Sequence, residues 1–209
     1  MAKGSSAYPV SLSIDYPDRK LNRLTTFFRP FVAIPIAIIL GLLIGAAFGW
    51  EDGEWDYQCG TAGLVVLPMV LMLLFQQKYP KWWFDWNLAL TRFSTRASAY
   101  FALMRDEYPS TDEEQAVHLD IPYPNAKELN RWLPLVKWIM AIPHYIVLVF
   151  LYTAAYVVVI IAWFAILFTG HYPKSLFDFM VNVHRWSLRV SAYAFILTTD
   201  RYPPFSLGE

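Results

Sequence analysis

The chain has one cysteine, Cys59, in 209 residues. That excludes an intrachain disulfide and any zinc or iron–sulfur site built on several cysteines. Charge is scarce at 16% of residues, against about 25% in an average soluble domain. Neither sign is in excess, with 17 basic and 17 acidic residues, so the basic signature of a nucleic-acid binder is missing. There is no Gly-x-x-x-x-Gly-Lys loop to cradle nucleotide phosphates and no Gly-x-Ser-x-Gly nucleophile elbow. What the chain does have is apolar: 56% hydrophobic and 18% aromatic residues. These values exclude disorder and point to the membrane class.

Three uncharged runs carry that character. Phe31–Gly49 is 19 residues, Thr61–Phe75 is 15, and Trp138–Thr169 is 32. The first is long enough to cross a hydrocarbon core of about 30 Å. The third would be roughly 48 Å long as one helix, so we expect two spans with a tight turn near Tyr152–Ala155, the first reaching back toward Trp132. Pro35 and Pro143 should kink their helices, and Pro68 should interrupt the short second run. Residues 1–20 show no apolar signal core, and the first span reads as an uncleaved anchor. Trp50–Gly60 carries Glu51, Asp52, Glu54 and Asp56 and none of the 17 basic residues. By the positive-inside rule this loop lies outside, and both termini lie in the cytoplasm of a bacterial cell.

The sequence repeats itself. Val10-Ser-Leu-Ser-Ile-Asp-Tyr-Pro17 matches Val117-His-Leu-Asp-Ile-Pro-Tyr-Pro124, Leu21-Asn-Arg23 matches Leu129-Asn-Arg131, and Ala33-Ile-Pro35 matches Ala141-Ile-Pro143. Beyond the runs, Tyr79-Pro-Lys81 matches Tyr172-Pro-Lys174 and Phe84-Asp85 matches Phe177-Asp178. The offset falls from 108 to 93 across the runs, so the second copy is 15 residues shorter there. This pattern resembles the DUF4389 family, bacterial membrane proteins without an assigned activity, and the resemblance brings no catalytic residues with it. The expected fold is a mainly α membrane protein with four transmembrane helices in two parallel repeats, residues 1–110 and 111–209. Each repeat should hold a short cytoplasmic strand, a transmembrane hairpin and an amphipathic interfacial helix.

Alternation of Val10, Leu12 and Ile14 with polar residues reads as a half-buried strand ended by Tyr-Pro, as does that of Val117, Leu119 and Ile121. One strand per copy is marginal, so the two should meet each other or partner subunits. Over Lys81–Met104, Trp82, Trp86, Ala89, Phe93, Ala97, Tyr100 and Met104 fall on one helical face. Asp85, Arg92 and Arg96 share another, and Asp178, Arg185 and Arg189 repeat the stripe in the second copy. Three roles suit the stripe: charge pairing within the protein, recognition of anionic lipid headgroups, or a path for a substrate or ion. Recurrence of acid and base together favours pairing.

His118, His144, His171 and His184 have no ligand spacing, so no metal or other cofactor is expected. His144, inside an apolar run, is a candidate functional polar group; hydrogen-bonded packing is the commoner role. His184 and Ser187 could touch on one helix, but no orienting acid accompanies them, and we expect no enzyme. The expected function is a non-catalytic scaffold or accessory subunit of the bacterial inner membrane, binding membrane lipids and a partner protein or further copies of itself. An oligomeric channel or transporter for a small solute is the alternative, and nucleic acid is not a partner.

Overall fold

The computed structural model describes residues 8–208 except 45, 52–53, 60–61, 112 and 114, and no side chains over 42–68. In chain order the elements are β1 (Ser11–Ile14), α1 (Arg23–Val32), α2 (Ile34–Ile44), β2 (Ala46–Glu51), β3 (Glu54–Cys59), α3 (Ala62–Gln76), α4 (Lys81–Phe101), β4 (Val117–Asp120), α5 (Leu133–Met140), α6 (Ile142–Thr169) and α7 (Lys174–Ala194). The fold is mostly helical. Two stretches, Arg23–Gly41 and Ile142–Thr169, are long and apolar enough to cross a membrane. The side chains of the acidic run and of Cys59 lie outside the described residues; the backbone there pairs β2 with β3, Trp50 opposite Trp55.

The two alternating segments meet. β1 and β4 form an antiparallel ladder with Leu12 opposite Leu119 and Ile14 opposite Val117. Leu12, Ile14, Val117 and Leu119 are buried, while Ser11, Ser13, His118 and Asp120 face water. Period-two patterning thus gives the ladder one dry and one wet face. Its dry side packs on the two long post-span helices, β1 on α7 and β4 on α4.

Asn22 caps α1 by accepting from the Leu24 N–H at 3.0 Å, as short amide side chains do at helix starts. The chain bends at Ala33 and again at Ala141, where α2 and α6 begin with Pro35 and Pro143 in their first turns. Proline lacks an N–H and crowds the carbonyl four residues back, so each ring ends the preceding helix and opens the next.

The hairpin expected over Trp138–Thr169 does not form. α6 is one helix of 28 residues, unbroken through Tyr152–Ala155. Between His144 and Thr169 there is no Gly, Pro, Asn or Asp. A reversal there would strand the end groups of two helices in an apolar segment without a residue suited to the turn. The helix ends where the sequence allows, at Gly170, whose φ of 77° is the left-handed cap and whose N–H bonds to Ile166 O at 2.8 Å. Four spans therefore overcount the second half of the chain, which has one long apolar helix.

The second correction concerns α7. Patterned as an interfacial helix, it is instead the centre of the molecule. Phe177, Met180, Val181 and Leu188 join the core that includes Leu12 and Leu119, while Trp186, Val190 and Tyr193 pack with Ala141 and Leu148. Apolar residues on two faces let a helix lie between two layers, where an interfacial helix would need one. After α4 and α7, Leu103 and Leu197 adopt positive φ, 63° and 61°. Both side chains are buried, and that burial offsets the left-handed strain of about 1–2 kcal/mol.

Candidate functional site

Arg185 and Arg92 sit at the two edges of the β1–β4 ladder. Arg185 donates from Nε to Leu12 O at 2.8 Å, and Arg92 donates from Nε to Leu119 O at 3.2 Å. Leu12 and Leu119 are opposite each other, so the two guanidinium groups satisfy carbonyls on both strands of a sheet too small to do so itself. Arg96 donates to Ser110 O at 2.9 Å, and Arg189 to Gly208 O at 3.0 Å. The four arginines of the stripe thus bind main-chain carbonyls. Asp85 and Asp178 are exposed. The ion pairs among the described residues join Arg29 to Asp106, Arg105 to Glu107 and Lys137 to Asp200, and His118 meets Asp15 at 3.2 Å. The stripe's acids and bases, which share a helix face, are not brought together as ion pairs there.

Beside the ladder opens a cleft of about 350 Å³, lined by Arg92, Arg96, Arg185, Ser13 and His118. It lies on the far side of α7 from α6. Arg185 and Val190 are about 140° apart around the helix at 100° per residue; Val190 packs with Leu148 of α6, whereas Arg185 holds β1.

The interior ion pairs were not anticipated. Lys137 is 1% exposed, with Nζ 2.8 Å from Asp200 Oδ1 and 2.7 Å from Thr199 O. Arg29 is 2% exposed, pairs with Asp106 and donates to Arg105 O at 3.0 Å. Each cation also lies over a tyrosine ring, Lys137 over Tyr193 and Arg29 over Tyr100. The signal was present: Arg29 and Lys137 each precede the matched proline by six residues, and both aspartates stand two residues before a Tyr-Pro.

His144 is buried inside an aromatic box. Trp186 Nε1–H donates to its Nδ1 at 3.1 Å, and the Phe205 ring stacks on it at 4.0 Å between centroids. The ring fastens the C-terminal tail to α6 and α7. His184 Nδ1 bonds to Met180 O at 2.8 Å, and Ser187 Oγ bonds to the Tyr152 hydroxyl. No Ser–His hydrogen bond joins them among the described residues. There, too, no three His, Cys, Asp or Glu side chains gather to hold a metal ion.

An extended part of the described surface is apolar. Ile142, Ile146, Phe150, Val157, Ile161, Phe164 and Phe168 of α6 are exposed, as are Phe27 and Phe31 of α1 and Leu135 and Ile139 of α5. Contiguous patches of this kind mark an interaction surface. Residues 132–206, from the start of α5 to the tail that packs on His144, match the model of the family described as a domain of unknown function, DUF4389. This segment belongs to the DUF4389 family. No curated protein and no solved structure matches the chain. The DUF4389 segment contains the Lys137–Asp200 pair, the His144 box and the second stripe, Asp178, Arg185 and Arg189.

Proposed function

We propose that this DUF4389 protein is a non-catalytic scaffold or accessory subunit of the bacterial cytoplasmic membrane. Its apolar side engages lipid and its polar side, with the arginine-lined cleft, is presented to a cytoplasmic partner. The observation that carries the reading is the exposed apolar surface along α1, α5 and α6, set against the wet face of the β1–β4 ladder.

A repeat architecture, residues 1–110 and 111–209, is part of this proposal. Matched contacts support it: Asn22 N–H to Asp106 and Asn130 N–H to Asp200, Tyr16 hydroxyl to Tyr172 O and Tyr123 hydroxyl to Tyr79 O. The tyrosine contacts and those of Arg92 and Arg185 cross from one copy to the other, which ties the halves into one body.

The test is native mass spectrometry of the full chain purified in mild detergent, followed by reconstitution in vesicles. Retained anionic phospholipid or a stoichiometric protein partner, with vesicles that stay sealed, is the expected result. A bare chain that conducts a small solute would replace the scaffold with the channel alternative.

A further inference from the structure

We propose that α6 lies in the plane of the membrane surface, embedded in one leaflet, and does not cross the bilayer. The inference rests on the membrane reading above and adds the orientation. It concerns α6 alone and leaves the expected placement of residues 50–60 and of the termini as it was.

The argument starts from what runs beside α6. After a four-residue connector α7 starts back along α6, and it touches α5 at one level and α6 at two. Trp138, just before α6, donates from Nε1 to Ala194 O at 2.8 Å; Trp186 donates to His144 at 3.1 Å; the Tyr152 hydroxyl meets Ser187 Oγ. The middle of α7, Trp186 and Ser187, is therefore level with the first half of α6, His144 to Tyr152. At that level, on the opposite side of α7, Arg185 holds β1 through Leu12 O at 2.8 Å. The outer face of that ladder exposes Ser11, Ser13, His118 and Asp120.

If α6 crossed the bilayer, the ladder would sit at the depth of His144–Tyr152 with this polar face toward hydrocarbon. No described residue covers it, and strand edges and charges are excluded from lipid-facing positions at that depth. Turning α6 parallel to the surface puts the ladder in water and the apolar stripe in lipid at once. The stripe suits this orientation. It runs from Ile142 to Phe168 without a break, while Leu148, Ala155, Ala162 and Ile166 on the other side are buried along the whole length. At about 42 Å, α6 exceeds a hydrocarbon core of about 30 Å, a mismatch that vanishes when the helix lies flat.

A lipid leaflet is the occupant, not a second copy of the chain. Exposed Lys20, Arg23 and Lys174 cluster at the C-terminal end of α6, and exposed Arg131 precedes α5. Cations at the two ends of an apolar stripe complement anionic headgroups and would repel the same cations on another copy.

Site-directed spin labelling tests the orientation. Single cysteines replace Ile142, Phe150, Val157 and Phe168 in a Cys59→Ser background, and the full chain is reconstituted in vesicles of phosphatidylcholine and phosphatidylglycerol at 3:1. All four positions are exposed, so folding should survive; should one variant lose its helical spectrum, its exposed neighbour Val149, Ile160 or Phe164 takes its place. Oxygen accessibility relative to a water-soluble nickel chelate should be raised to a similar value at all four labels. A ratio that peaks at Phe150 and Val157 and falls to aqueous values at Ile142 and Phe168 would overturn the in-plane orientation and leave the membrane reading standing. Aqueous values at all four labels, with the protein left in the supernatant, would overturn both.

Discussion

Arg92 and Arg185 act on the backbone, and that determines which substitutions the protein tolerates. Each donates to a carbonyl of the β1–β4 ladder, and a hydrogen bond from a charged donor contributes about 1.5–3 kcal/mol. Arg92→Ala should therefore lower stability by about that amount, read as a drop in melting temperature in detergent. Asp85→Asn should stay within about 0.5 kcal/mol of wild type, because Asp85 is exposed and outside the ion pairs described. A destabilised Asp85→Asn beside a silent Arg92→Ala would restore the charge-pair reading. Burial holds the His184 imidazole below its ordinary pKa of 6.5, partly countered by its bond to Met180 O. The unfolded chain then takes up a proton before the folded one as pH falls. Stability should be full above about pH 6.5 and decline below it; His184→Gln should flatten that acid limb in melts run between pH 5 and 8. The stripe residues were visible in the sequence as a spacing, but their partners were not. Periodicity says which residues share a face, and says nothing of a carbonyl 173 residues away.

At the scale of elements, α6 is the informative case. Its apolar character was plain from sequence; its continuity was not, because span counting takes a length of hydrocarbon as the ruler and folds back whatever exceeds it. The absence of turn residues between His144 and Thr169 was the better guide. Ala154→Pro tests continuity directly. Ala154 is exposed in mid-helix, so the substitution adds no packing clash, but it removes a helical hydrogen bond and should cost about 3 kcal/mol. A hairpin turn at Tyr152–Ala155 would accept proline with little change in melting temperature. α7 shows the complementary limit. Its helical period was legible, yet a helix packed on two sides and a helix floating at an interface present similar patterns until the neighbouring layers are known. The two strands were legible from alternation; that they pair with each other and not with partner subunits came from the structure.

For the molecule as a whole, orientation follows from the order of its layers: ladder, then α4 and α7, then the apolar helices. A chain arranged this way has one face for lipid and one for water, and tilting it upright would carry Asp120 and the ladder edges into hydrocarbon. Asp or Arg at the centre of a spanning helix costs about 2.5–3.5 kcal/mol each on the insertion scale, so several such groups at one depth outweigh any gain from matching α6 to the bilayer. The same depth dependence supplies a functional readout. Ile142→Asp, Val157→Asp and Phe168→Asp each put a carboxylate into the exposed stripe of α6. With the helix lying flat, all three sit at similar shallow depth and should weaken flotation with phosphatidylglycerol-containing vesicles by similar factors. With the helix upright, Val157→Asp would carry nearly the whole penalty and the two end substitutions almost none. Raising salt to 1 M, where the Debye length shrinks to about 3 Å, should weaken but not abolish flotation of the wild-type chain, since the cations at the ends of the stripe assist an attachment that the apolar surface makes. Complete release by salt alone would mean that the stripe does not enter the leaflet.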